Sequence, residues 1–255
     1  MLNYISAELW RCTRRWTNLA GWGCFLLLVA VAGVTWGTGG MVYALETLRE
    51  FLMVGLYVGF PLAALTCGDL WRSGTLGNEL SVGLTRRRIY FGKLLASLLM
   101  GVVLFFATVV VFLLAAAPWG AQASEDQVRA AMGYLMEGIW ISLPRYIGVV
   151  SLAQCLCFSL RATGMAPVLY YIYISLGELF LGSVNLYNMG PVGDVLNALA
   201  AIVRPFLLGS AYFTYGNLTV PPPTPGIGMS WLTGLGWVVV SSAVGMAVFS
   251  RREIK

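Results

Sequence analysis

Two ionisable side chains stand inside otherwise apolar stretches: Arg145 within 139–160 and Glu178 within 166–183. A lone charge in hydrocarbon costs about 3 kcal/mol, so such a residue needs a partner or water. Each lies five or six residues from one end of its stretch, roughly 8–9 Å deep at ~1.5 Å per residue. Consecutive antiparallel helices would bring them to similar depth. The two are therefore expected to pair or to share a polar cavity, with Arg204 as a second possible partner for Glu178. Two roles fit this spacing: a structural ion pair, or a carboxylate that contacts a cationic or amphipathic substrate.

Other chemistries are excluded. The chain has no histidine, which removes imidazole acid–base catalysis, the Ser-His-Asp triad and His-ligated metals. No G-x-x-x-x-G-K-[ST] phosphate loop occurs: Gly92-Lys93 is followed by Leu94, and Arg87 stands where the first glycine belongs. The five cysteines, Cys12, Cys24, Cys67, Cys155 and Cys157, show no C-x-x-C spacing and read as small apolar packing residues. Neither an enzyme nor a metal site is expected.

The elements that must position Arg145 and Glu178 follow from composition. Of 255 residues, 58% are hydrophobic and 11% charged, too few charges to cover a soluble surface. Mean hydropathy is +0.78. These values predict an all-α integral membrane protein forming one transmembrane domain. Six spans are expected at 20–37, 51–68, 93–119, 139–160, 166–183 and 230–249, each long enough for a ~30 Å hydrocarbon core. With the N-terminus inside, the cytoplasmic segments hold 12 basic and 4 acidic residues, a balance of +8, and the remainder 4 and 7, a balance of −3. The positive-inside rule then places both termini in the cytoplasm of a bacterial-type plasma (inner) membrane. Trp36, Trp119, Trp140 and Trp231 fall at the outer boundaries, and Trp16, Trp22, Trp71 and Tyr90 at the inner ones.

Residues 4–16 read as an amphipathic helix lying on the inner leaflet. Ile5, Leu9, Cys12 and Trp16 form its apolar face, while Glu8, Arg11 and Arg15 face the headgroups. Trp36 spoils the only small-residue cleavage pattern after the first span, so a cleaved signal peptide is not expected. The outer segment 184–229 is too long for a structureless loop. Arg204-Pro205 breaks its apolar stretch into two short re-entrant helices, and Pro221–Pro225 forms a stiff spacer. Gly33-x-x-x-Gly37 and Gly55-x-x-x-Gly59 permit close helix approach. Tyr170, Tyr171 and Tyr173 suit the core, or the lining of a pathway for amphipathic substrates.

The cytoplasmic loop 69–92 links spans two and three. Gly74 and Gly83 bracket a short helix-capable stretch that Thr75 can cap, and Thr85 can cap the helix entering span three. A short helix held between two spans is a rigid lever. Arg87 and Arg88 suit lipid headgroups equally well as a topology anchor.

The residues Asp69, Ser73-Gly74-Thr75, Leu80-Ser81, Thr85-Arg86, Ile89-Tyr90 and Gly92-Lys93, together with the tail Phe249–Lys255, resemble the permease subunits of ABC-2 type transporters. Gly83-Leu84 departs from that pattern, where many members carry proline. The resemblance implies six spans, an interfacial first helix and re-entrant helices before the last span. It also implies a second permease copy, identical or paralogous, and two separate ABC ATPase subunits that bind the ATP and magnesium this chain does not. Trp71, Arg72, Gly74, Thr75, Asn78, Glu79, Leu80, Thr85 and Arg86 would touch the ATPase. The implied function is export of a hydrophobic or amphipathic substrate: a peptide toxin, antimicrobial peptide, drug or lipid. An ion-coupled secondary transporter using Glu178 is the alternative, and an intramembrane enzyme a distant third. The bilayer, and no nucleic acid, completes the expected partners.

Overall fold

Unbroken apolar runs leave the backbone no partner but itself, and helices are the result. The computed structural model describes residues 2–52, 55–72, 75–119, 124–160, 164–178, 195, 199, 206–208 and 226–251, and among them there is no strand. The helices are α1 (Leu2–Arg14), α2 (Trp16–Gly37), α3 (Met41–Phe51), α4 (Gly55–Arg72), α5 (Thr75–Ser81), α6 (Arg86–Ala116), α7 (Glu125–Ser159), α8 (Met165–Ile172) and α9 (Ile227–Arg251). A wider π turn continues α8 over Tyr173–Glu178.

Four helices are long and apolar enough to cross a membrane: α2, α6 with its extension to Trp119, α7 and α9. The pair α3 and 55–67 of α4, bent by 52°, would make a fifth. The expected span 166–183 is described only to Glu178. Gly74, Arg204, Pro221–Pro225, most of 184–229 and the tail beyond Arg251 lie outside the described residues.

Helix boundaries depart from the sequence reading at charged ends. α7 starts at Glu125 rather than 139, because Ser124 and Gln127 form a capping box and Glu125 and Asp126 suit the first turn. α3 was not expected as an element at all. Glu46, Arg49 and Glu50 hide its periodicity, yet Ala44, Leu45 and Leu48 are buried in one cluster with Ala131 and Leu135 of α7. α4 runs on to Arg72 and α6 begins at Arg86, so the connecting segment is shorter than 69–92.

Side-chain pairings fix the direction of each helix. α2 runs parallel to α6, with Gly33 against Phe112 and Gly37 against Ala116; a Cβ at Gly33 would lie 2.7 Å from the Phe112 carbonyl oxygen. α7 runs antiparallel to α6, pairing Tyr146 with Phe105, Gln154 with Ser97 and Phe158 with Tyr90. α4 is parallel to α7 through Gly55–Tyr146 and Gly59–Val149. α9 is also parallel to α7, through Trp140–Trp231, Ser151–Ser241 and Phe158–Phe249.

The starts of α2 and α6 therefore share one end of the bundle with the ends of α4, α7 and α9. That end carries Arg11, Arg14, Arg15, Arg86, Arg87, Arg88, Lys93 and Arg251 against Glu8 and Glu79, while Glu46, Glu50, Glu125, Asp126 and Glu137 gather at the other with Arg49 and Arg129. The charge asymmetry expected from sequence is built into the helix directions. Within the bundle, Thr66 Oγ1 and Ser97 Oγ lie 2.7 Å apart, and Ser97 donates to Gln154 Oε1 at 3.1 Å. Interhelical bonds of this kind contribute about 1 kcal/mol each.

Candidate functional site

At the basic end, α5 is a seven-residue helix set between α4 and α6. Its sequence TLGNELS divides into two faces. Leu76 is 2% exposed and joins an apolar cluster with Cys67, Ile89, Tyr90, Leu94, Phe158 and Phe249. Gly77, Asn78 and Ser81 face outward, and Val82 just beyond them is 82% exposed. Gly83, with φ +86°, ends the helix in the left-handed region open to glycine. Thr85 then caps α6, its hydroxyl accepting from the Arg88 backbone N–H at 3.4 Å.

Behind α5 lies a buried charge cluster. Lys93, wholly buried on α6, reaches Glu8 of α1 at 2.6 Å and Glu79 of α5 at 3.3 Å. The Tyr4 hydroxyl donates to the other Glu79 oxygen at 3.0 Å. Arg11 pairs with Glu8 at 2.6 Å and donates to the Thr66 carbonyl of α4 at 3.4 Å. Two cations thus meet two carboxylates, which keeps the cluster neutral where water is scarce.

Gly92 makes this possible, since a Cβ there would overlap the Tyr4 ring. Burial first, and the Glu8 and Glu79 carboxylates second, push the Tyr4 phenol far above its ordinary range, so it stays a donor. Burial likewise raises the Cys12 thiol on the same helix. α1, α4, α5 and α6 are joined at one point.

The nine residues of the loop pattern divide accordingly. Asn78 is exposed, and Leu80 and Glu79 are half-buried. Arg86 donates to the Phe249 and Ser250 carbonyls at 2.9 and 2.8 Å, closing the end of α9. Glu79, Thr85 and Arg86 are thus directed onto this chain. Trp71, Arg72 and Thr75 are described in backbone only, the first two ending α4 and the third opening α5. Gly74 lies outside the described residues. Sequence reasoning missed Tyr4, Glu8 and Lys93 as a set, and placed Glu8 toward headgroups, whereas it is 4% exposed. The Gly92-Lys93 pair was the one available signal.

Of the expected intramembrane pair, the side chain of Arg145 alone is described. Arg145 is wholly buried on α7 and donates to the carbonyls of Leu207 and Leu208 at 2.7 and 3.1 Å, and to Ser230 Oγ at 3.4 Å. It ties the segment 206–208 to the first turn of α9. Glu178 ends the π turn, and its carboxylate lies outside the described residues. The tyrosines of α8 bond to α4: Tyr170 donates to the Leu56 carbonyl and Tyr171 to that of Tyr57 at 3.3 Å.

No protein-family model and no curated protein matches this chain.

Proposed function

We propose that this chain is the membrane subunit of an ATP-driven exporter and takes its energy from a separate ATPase that docks on α5. The observation that carries this reading is the division of α5: an open face of Gly77, Asn78, Ser81 and Val82, and a rear face locked by Glu79 to Lys93. Val82 at its tip is 82% exposed and adds an apolar contact to the open face. The rear lock would convert a push on that face into movement of α1 and α6. On this reading the chain has six spans with both termini in the cytoplasm and works as one of two permease copies. Each copy binds one ATPase subunit, which holds the ATP and magnesium. The substrate is hydrophobic or amphipathic, and a peptide fits best by the resemblance of the loop.

The test is co-expression with a candidate ATPase that carries a phosphate loop and signature motif. The wild-type chain is expected to retain the ATPase in a pull-down, and Val82→Asp or Asn78→Arg to lose it while folding normally. Exposed substitutions of this kind shift stability by about 0.5 kcal/mol or less. Glu79→Arg should lose both the ATPase and the ordering of α1. Transport by the lone chain in vesicles without nucleotide would overturn the proposal.

A further inference from the structure

Pro61 sits inside α4. It has no N–H to give the Tyr57 carbonyl four residues earlier, and its ring crowds that oxygen. A carbonyl freed in this way within a membrane must find a donor elsewhere. α8 supplies it. The Tyr171 hydroxyl donates to the Tyr57 carbonyl at 3.3 Å, taking the place of the missing amide, and the Tyr170 hydroxyl donates to the adjacent Leu56 carbonyl. Tyr171 also stacks on Tyr57 with ring centroids 6.5 Å apart. A Cβ at Gly59 would overlap the Tyr170 hydroxyl, so the close approach depends on that glycine.

α8 has an irregularity of its own beside this contact. Two residues after Tyr171 it widens into the π turn Tyr173–Glu178. Prolines and π turns are places where helices bend, and here one of each lies next to the same pair of hydroxyl bonds. The two halves of α4 also have different anchors. Before Pro61, Gly55 packs on Tyr146 and Gly59 on Val149 of α7. After it, Thr66 bonds to Ser97 of α6, and its carbonyl accepts from Arg11 of α1.

We propose that α4 is hinged at Pro61 and that Tyr170 and Tyr171 are the latch that holds the hinge shut. Release breaks the two hydroxyl bonds and the Tyr57–Tyr171 stack, but no backbone bond from residue 61, since proline makes none. The half of α4 that leads to α5 then tilts away from the half held on α7. The device belongs to the bundle itself and needs neither an ATPase nor a cargo, so its failure would leave the exporter reading standing.

Hydrogen exchange of the full chain in detergent micelles, read by mass spectrometry at 62–66 of α4 and 165–172 of α8, tests this. Pro61→Ala restores the amide and should slow exchange at 62–66 about fivefold, the factor for one net hydrogen bond. Tyr171→Phe should speed exchange in both segments by about the same factor. When the two substitutions are combined, 62–66 should return to the wild-type rate or below, because the new amide bonds the Tyr57 carbonyl, whereas 165–172 should stay fast. Circular dichroism checks that each variant is folded, and Pro61→Ala, which adds a helix former, decides the hinge even if Tyr171→Phe does not fold. Unchanged exchange in Pro61→Ala overturns the hinge. Unchanged exchange in Tyr171→Phe, or equally fast exchange at 62–66 in Tyr171→Phe and the combined variant, overturns the latch.

Discussion

The Lys93 ammonium lies 2.6 Å from a Glu8 carboxylate oxygen, joining residues 85 positions apart. This contact makes α1 part of the bundle rather than a loose strip on the membrane surface. Because Lys93 also holds Glu79, one cation sets the positions of the first and the fifth helices together.

Lys93→Met should free both. Glu79 would lose its cation and Glu8 would keep only Arg11, a loss of about 3–5 kcal/mol. Hydrogen exchange is the readout: amides of α1 and α5 should lose protection together while those of α7 keep theirs.

Tyr4 gives the cluster a pH limit. Its folded pKa is raised above the ordinary value near 10, so the folded protein holds the phenolic proton more tightly than the unfolded chain. The resulting stabilisation is complete below about pH 10 and is lost as pH rises beyond it. Thermal unfolding should show wild type losing more stability than Tyr4→Phe between about pH 9 and pH 11.

Glycine substitutions should rank by what the new Cβ meets. At Gly234 it would overlap the backbone carbonyl of Pro144, which cannot step aside. At Gly92 it would meet the Cδ1–Cε1 edge of the Tyr4 ring, a side chain that can turn where a backbone cannot. Gly234→Ala should cost about 1–3 kcal/mol in denaturant unfolding, and Gly92→Ala less, with α1 alone loosened.

Arg145→Met should release the segment around Leu207 and Leu208 at a cost of about 3 kcal/mol, since charged donors to carbonyls are removed from a buried site. Limited proteolysis should then cut there faster than in wild type, and Arg145→Lys should restore part of the protection.

What was legible in the sequence was local. Thr85 as a cap, Gly83 as a helix end, and Gly33 and Gly37 as a close-approach face depend on neighbours within a turn or two, and all appear in the structure. The all-helical membrane class followed from composition. The charge cluster was not legible, because Glu8 on an amphipathic helix looks solvated until Lys93 arrives from 85 residues away. α3 and the first half of α7 were missed for a related reason. A hydropathy window rejects Glu46, Arg49, Glu125 and Asp126, although each of these helices buries an apolar stripe against the other.

At about 1.5 Å per residue, the 35 residues of α7 extend some 52 Å, well beyond a ~30 Å hydrocarbon layer. The surplus falls at the Glu125 end, where α3 leans on it and Arg49 lies 3.6 Å from the centre of the Tyr134 ring. A lone rod of that length could slide or tip to suit whatever bilayer it met. Braced at this charged ledge, α7 is held against such sliding, and a bilayer of another thickness would have to deform to meet it.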